Sequence, residues 1–166
     1  MTLRLILTRH AKSDWDDPLL DDHDRPLNLR GLADAPRLGV WLAEQGLIPG
    51  QALVSTARRA TETWAGMSPA LPGCAASFHA ALYHSEPSTI LKQLAKAETE
   101  TVLIVAHNPG IAVLAEAMLS QAPDHHRFAV FPTGATLIAE FDTDNWRNLR
   151  PGTGRAVGFT VPRDLR

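Results

Sequence analysis

Leu3-Arg4-Leu5-Ile6-Leu7-Thr8-Arg9-His10 is an apolar run of strand length that stops abruptly at an arginine and a histidine. Leu3, Leu5, Ile6 and Leu7 have the bulk of a buried strand, and the polar residues begin at Thr8. Ligands of an open α/β sheet bind just past the carboxyl ends of its strands, so Arg9 and His10 fall where chemistry is expected. A lone Arg-His pair at a strand end reads by itself as an ordinary solvated loop. The decision rests on what else reaches the same edge.

Two further strands end in the same way. Ala52-Leu53-Val54-Ser55 reads as a strand that turns into the helical spacing of Thr56-Ala57-Arg58-Arg59-Ala60-Thr61-Glu62-Thr63-Trp64. Thr101-Val102-Leu103-Ile104-Val105-Ala106, β-branched and bounded by polar residues, is the clearest strand in the chain and runs into His107-Asn108-Pro109-Gly110. Between these, Asn28 is placed to cap a helix that continues through Leu32, Gly39, Val40 and Leu42 to about Gly46. Pro36 should kink that helix or delay its regular part to about Asp34. Ala75 to Phe78 is a weaker strand, and Ser88 to Lys96 and Ile111 to Leu119 read as helices. Thr136 to Phe141 alternates as a half-buried strand, with a last extended segment near Gly158 to Val161.

Composition bounds the function. At 166 residues with 45% hydrophobic and 20% charged side chains, the chain suits one domain over 1–166 with its own core. A net charge of −2 argues against nucleic acid as the main partner. The single cysteine, Cys74, forms no internal disulfide and reads as a small buried hydrophobe. No apolar run is long enough for a membrane span and no signal peptide is recognisable, so a cytoplasmic protein is expected. Six aspartates between positions 14 and 24 lie in a long polar loop, but that loop lacks the glycine and closing glutamate of a calcium site. It reads as solvated loop bordering a site, with Arg25 aimed by the rigid Pro26. His125-His126 lacks ligands at useful spacing, and no metal site is expected.

Parallel strands joined by helices bring Arg9-His10, the turn from Ser55 to Thr63, and His107 to one edge of a sheet. Two histidines with two or three arginines, and no carboxylate in the same short motifs, describe a pocket for a tetrahedral dianion. Guanidinium offers a planar fork of donors that matches phosphate oxygens and stays charged. Neutral imidazole is a competent nucleophile toward phosphorus, and a backbone carbonyl accepting from one ring nitrogen would select the other for attack.

Arg9-His10 after the first strand, Ser55-x-x-x-Arg59-Ala60-x-x-Thr63, and Val105-Ala106-His107-Asn108-Pro109 after a later strand resemble the histidine phosphatase superfamily, the group that includes the phosphoglycerate mutases. Asp24-Arg25-Pro26-Leu27-Asn28-x-x-Gly31, Leu53-Val54-Ser55, the compact length and Pro132-Thr-Gly-Ala135 are most similar to the short SixA-type phosphohistidine phosphatases. The resemblance runs from residue 3 to about residue 141. It implies a three-layer α/β/α sandwich with a mostly parallel central sheet. It makes His10 the phosphoryl acceptor, Arg9, Arg59 and His107 the ligands of the phosphoryl oxygens, and Arg25 a residue bordering the pocket. Arg58 is left to solvent or to Glu62 at i,i+4. No metal or organic cofactor is implied, because the arginines supply the positive charge.

One departure bears on substrate. Mutases and many phosphomonoesterases of this group place a carboxylic acid after the third strand to protonate an alkoxide. Here the region is His79 to Glu86, with Glu86 its only carboxylate and no matching motif around it. A departing imidazole needs that proton far less, which favours phosphohistidine on a protein, such as a histidine-containing phosphotransfer domain. A small-molecule phosphomonoesterase using Glu86 or His84 as acid stays open, as does a phospho-ligand binding module without turnover. Arg147, Arg150, Arg155, Arg163 and Arg166 form a basic C-terminal group that could dock an acidic partner or be a solvated tail.

Overall fold

The computed structural model describes residues 1–166. Six strands, β1 (Leu3–Arg9), β2 (Gln51–Ser55), β3 (Ala75–His79), β4 (Thr101–Ala106), β5 (Thr136–Phe141) and β6 (Arg155–Thr160), form one sheet in the order β3-β2-β4-β1-β5-β6. β3, β2, β4 and β1 are mutually parallel, β5 is antiparallel to β1, and β6 is antiparallel to β5. Register pairs Arg9 with Ala106 and Thr8 with Val105, so His10 and His107 leave adjacent strands at the same level. Four helices, α1 (Leu29–Glu44), α2 (Arg58–Met67), α3 (Pro87–Leu94) and α4 (Gly110–Met118), cover the sheet.

The central strands are apolar on both sides because both faces are covered. Ile6, Val54, Leu103, Val105 and Ile138 pack against Leu38, Leu42, Trp64 and Met67 of α1 and α2. Leu5, Leu7, Val102 and Ile104 pack against Ile90 and Leu94 of α3 and Ile111, Leu114 and Met118 of α4. The result is the expected three-layer α/β/α sandwich. No helix is long and apolar enough to cross a membrane.

Local expectations were met unevenly. Asn28 caps α1, its side chain accepting from the Gly31 amide at 2.9 Å. Pro36 lies inside α1, which is assigned as helix without a break from Leu29 to Glu44. β5 is buried on both faces apart from Glu140, because β1 and β6 flank it and both helical layers reach it. Its alternation therefore does not report a solvent face. Cys74 is only half-buried, and burial raises its thiol pKa to about 11.

Two glycines set the approach of backbone at the carboxyl edge of the parallel strands. A Cβ at Gly31 would collide with the Lys12 carbonyl, two residues beyond His10, and one at Gly110 would collide with the Ser85 carbonyl beside His84. Each presses the start of a helix against a loop that leaves another strand.

Candidate active site

His10, Arg9, Arg59, Arg25 and His107 line one pocket of about 320 Å³ at the carboxyl edge of the parallel strands. The chain brings together every site residue that its sequence singled out. Arg58 remains outside, exposed and 3.4 Å from Glu62.

His10 is held in one tautomer. Its Nδ1 is 2.8 Å from the Ala11 carbonyl oxygen, which can only accept, so Nδ1 carries the proton and Nε2 keeps the free lone pair. The Ala11 amide donates to Thr63 Oγ1 at 2.9 Å, and that hydroxyl donates to the Arg59 carbonyl at 2.7 Å. The backbone after the histidine is thus tied to the helix that supplies Arg59. Burial lowers the His10 pKa to about 3, with Arg59, Arg9 and Arg25 adding to the shift against the opposing Ala11 hydrogen bond. The ring is neutral at physiological pH.

His107 stands with its ring centroid 5.1 Å from that of His10. Its Nε2 is 2.7 Å from Ser55 Oγ, which also accepts from the Ala57 amide at 3.3 Å. The Ser55 hydroxyl hydrogen has no other acceptor, and when it donates to Nε2 the proton of His107 stands on Nδ1. Burial, followed by the positive charges possible on His10, Arg59 and His84, pushes the His107 pKa down to about 2.

Three nitrogens around this pocket are buried without any hydrogen-bond partner in the chain: Arg9 Nε, Arg59 Nε and His107 Nδ1. Orphaned buried donors are costly, about 1–3 kcal/mol each and more when charged. Here they lie on the residues that share a pocket with the unprotonated Nε2 of His10. Arg9 is steadied by donating from Nη1 to the Phe131 carbonyl at 3.2 Å, an oxygen that also accepts from Asn108 Nδ2 at 2.9 Å. Phe131 holds a left-handed backbone, φ 47°, and so does His84, φ 52°. For residues other than glycine this conformation is uncommon, and both instances border the site.

Asp22 was missed by the sequence reading, which found no carboxylate in the short motifs and took residues 14–24 for solvated loop. Its Oδ2 accepts from Arg59 Nη2 at 2.9 Å and from the Tyr83 hydroxyl at 2.6 Å, and its backbone carbonyl accepts from Arg59 Nη1 at 2.7 Å. Its Oδ1 accepts from Arg25 Nε and Nη2 at 3.1 and 3.0 Å. Burial favours the protonated acid, but hydrogen bonds from Tyr83, Arg59 and Arg25 outweigh it and hold the carboxyl well below the ordinary carboxylate range. The available signal was its place three residues before Arg25. Arg25 itself is committed largely to the loop: it also donates to Ser13 Oγ at 2.8 Å and the Asp14 carbonyl at 3.2 Å, and stacks 3.4 Å from the Trp15 ring centre.

The two acid candidates separate. His84 lines the pocket with Nε2 3.4 Å from Asp22 Oδ2, whereas Glu86 is at the N-terminal boundary of α3 and is not a pocket residue. The chain has no group of three or more His, Cys, Asp or Glu side chains placed to hold a metal ion.

The family model for the histidine phosphatase superfamily (branch 1) matches residues 5–83, which include the strand before His10 and the helix that carries Arg59. An uncharacterised protein of Mycobacterium tuberculosis is 33% identical over 162 residues, covering 93% of this chain and 99% of its own. The chain belongs to the histidine phosphatase superfamily. Its structure is of the SixA type. A candidate SixA phosphohistidine phosphatase from Agrobacterium tumefaciens superposes with a TM-score of 0.81 at 29% identity, over 96% of this chain and 98% of that one. The protein histidine phosphatase SixA complexed with tungstate has the same fold, with a TM-score of 0.78 at 20% identity over 99% and 100% of the two chains. Fold and family together support phosphatase activity.

Proposed function

We propose that this protein is a phosphatase that transfers a phosphoryl group from phosphohistidine on a partner protein to His10 and then to water. The observation that carries the reading is the set of unpartnered buried nitrogens on Arg9, Arg59 and His107 around a neutral His10 with Nε2 free. His10 Nε2 attacks phosphorus, the N–P bond of the substrate breaks, and the departing imidazole nitrogen takes a proton from solvent. Water then attacks phosphorus on His10, breaking the new N–P bond and releasing inorganic phosphate. Arg9, Arg59 and His107 Nδ1–H stabilise the charge on the equatorial oxygens in both steps. Guanidinium groups meet the electrostatic need that a metal ion meets elsewhere, so the reading requires no cofactor. A cytoplasmic site of action and a single catalytic domain over 1–166 belong to the same proposal.

The ionised state of Asp22 supports phosphohistidine over an ester. A carboxyl held far below its ordinary range is a poor proton donor to an alkoxide, whereas imidazole departs without such help. The second reading, a phosphomonoesterase acting on small esters, is favoured by one feature. His84 lines the pocket with Nε2 3.4 Å from Asp22 Oδ2, and in that reading its imidazole is the acid.

A panel of a phosphohistidine protein, sugar phosphates and an aryl phosphate, assayed beside His10→Ala, decides between them. Preference for the phosphohistidine protein, with an acid-labile phosphoryl group trapped on the wild type and absent from His10→Ala, is the expected result. Efficient sugar phosphate cleavage with the phosphohistidine protein untouched would overturn it, and binding without turnover of any substrate would leave only a phospho-ligand module.

A further inference from the structure

The catalytic pocket opens into a second trough of about 460 Å³, and the two share Arg9, Lys12 and Thr133. Arg30 from the start of α1, Arg127 from the segment between α4 and β5, and Arg163 and Arg166 from the C-terminal turn add to its lining. Asp34 is its one acidic side chain, and Arg166 holds it at 2.9 and 3.2 Å while Arg37 approaches it at 3.5 Å. Lys12, Arg30, Arg127 and Arg163 make no ion pair in the chain. Four unpaired cations in one hollow of a protein with net charge −2 are a concentrated local field. The C-terminal arginines do not act as a single group. Arg155 pairs with Glu140 at 3.0 Å, and Arg147 and Arg150 border hollows elsewhere.

We propose that this trough docks an acidic stretch of the phosphorylated partner, lying a few residues from the phosphoryl group that enters the His10 pocket. The inference rests on the reading that the substrate is a phosphoprotein, and it assigns the partner's surface chemistry. The trough differs in kind from the catalytic pocket. Its unpaired cations are carried by separate segments, Lys12, Arg30 and Arg163 are exposed, and none of the buried unpartnered donors other than that of the shared Arg9 lies in it. Such a spread suits a run of carboxylates better than one compact anion. Because Arg9 belongs to both hollows, an acidic stretch seated there is continuous with the phosphoryl group. Charge complementarity of this kind speeds encounter and selects partners.

The test uses a fluorescein-labelled peptide bearing a run of glutamates, its glutamine counterpart, and the triple variant Arg30→Gln/Arg127→Gln/Arg163→Gln. None of these arginines touches His10 or makes an ion pair, so fold and phosphate pocket are retained, which inhibition by inorganic phosphate verifies. At low salt the wild type should bind the glutamate peptide at least about tenfold more tightly than the glutamine peptide, and high salt should erode the difference. In the triple variant the preference should fall to within about twofold. Equal binding of both peptides by the wild type, or an unchanged preference in the variant, would overturn the proposal. Phosphohistidine versions of both peptides report separately on the catalytic reading. If neither is cleaved while an aryl phosphate is, that reading fails and the binding data still decide the trough.

Discussion

Asp22 Oδ2 lies 2.9 Å from Arg59 Nη2, so the arginine expected to clamp a phosphoryl oxygen already holds a carboxylate of its own chain. With the Asp22 carbonyl on Nη1, both terminal nitrogens of Arg59 are engaged, and Nε is the buried donor without a partner. Asp22 thereby orients Arg59 and also contributes a negative charge that an incoming phosphate must face.

Replacing Asp22 by asparagine keeps its shape and removes that charge. Inorganic phosphate should then inhibit more strongly, by roughly 1 kcal/mol or about fivefold in inhibition constant, given an exposed edge and an effective dielectric well above that of a dry interior. Competitive inhibition by phosphate measures it. Weaker inhibition by phosphate in Asp22→Asn would show that orienting Arg59 outweighs the repulsion.

Arg58 and Arg59 are neighbours with opposite fates. Arg59 is buried in the pocket and Arg58 is an exposed partner of Glu62. Loss of one preorganised oxyanion donor costs roughly 3 kcal/mol of transition-state stabilisation, so Arg59→Ala should lower kcat by about a hundredfold or more. Arg58→Ala should stay within about twofold, since exposed i,i+4 pairs contribute only about 0.5 kcal/mol. Steady-state kinetics of the two variants on one substrate give the comparison.

The buried histidines link stability to pH. His10 titrates near 3 in the folded chain and near ~6.5 when unfolded, so between these values the unfolded state binds more protons. The stability it contributes is fully present above about pH 6.5 and is lost on acidification at roughly 1.4 kcal/mol per pH unit. Denaturant unfolding of wild type and His10→Gln between about pH 6.5 and about pH 4.5 should show a shallower loss in the variant by that slope. Parallel pH dependences would mean that His10 titrates as an ordinary histidine.

Ser55 Oγ is the hydrogen-bond partner of His107 Nε2. In Ser55→Ala the Nε2 of His107 loses its 2.7 Å partner, and the ring is free to place its proton on either nitrogen. An activity loss of about tenfold to a hundredfold is expected, by analogy with the loss of a partner that orients a metal-bound imidazole. Thermal unfolding should change by no more than about 1–3 kcal/mol, the desolvation cost of the uncovered nitrogen. A loss of activity no larger than twofold would place the tautomer under other control.

Much of the fold was legible because its signals are local. The apolar runs of β1 and β4, the cap at Asn28 and the residues following each strand report their own environments within a few positions. Parallel order then carries His10 and His107 to adjacent strand ends. β5 misled because alternation is informative only where one face meets solvent, and a strand between β1 and β6 under both helical layers has none. Pro36 did not delay the helix to Asp34: α1 begins at Leu29, and Leu38 and Leu42 beyond the proline are buried in the core.

The order of strands and motifs was enough to determine the α/β class, to bring His10 to the pocket and to choose Arg59 over Arg58 as its lining arginine. Only the tertiary structure decided that Asp22 enters the pocket, that His84 and not Glu86 lines it, and that Arg163 and Arg166 join Lys12, Arg30 and Arg127 while Arg147, Arg150 and Arg155 do not. The reason is physical. Periodicity encodes which face of an element is buried, but a loop's side chains are placed by partners tens of residues away, as Asp22 is by Arg59 and Tyr83, and no spacing along the chain records those meetings.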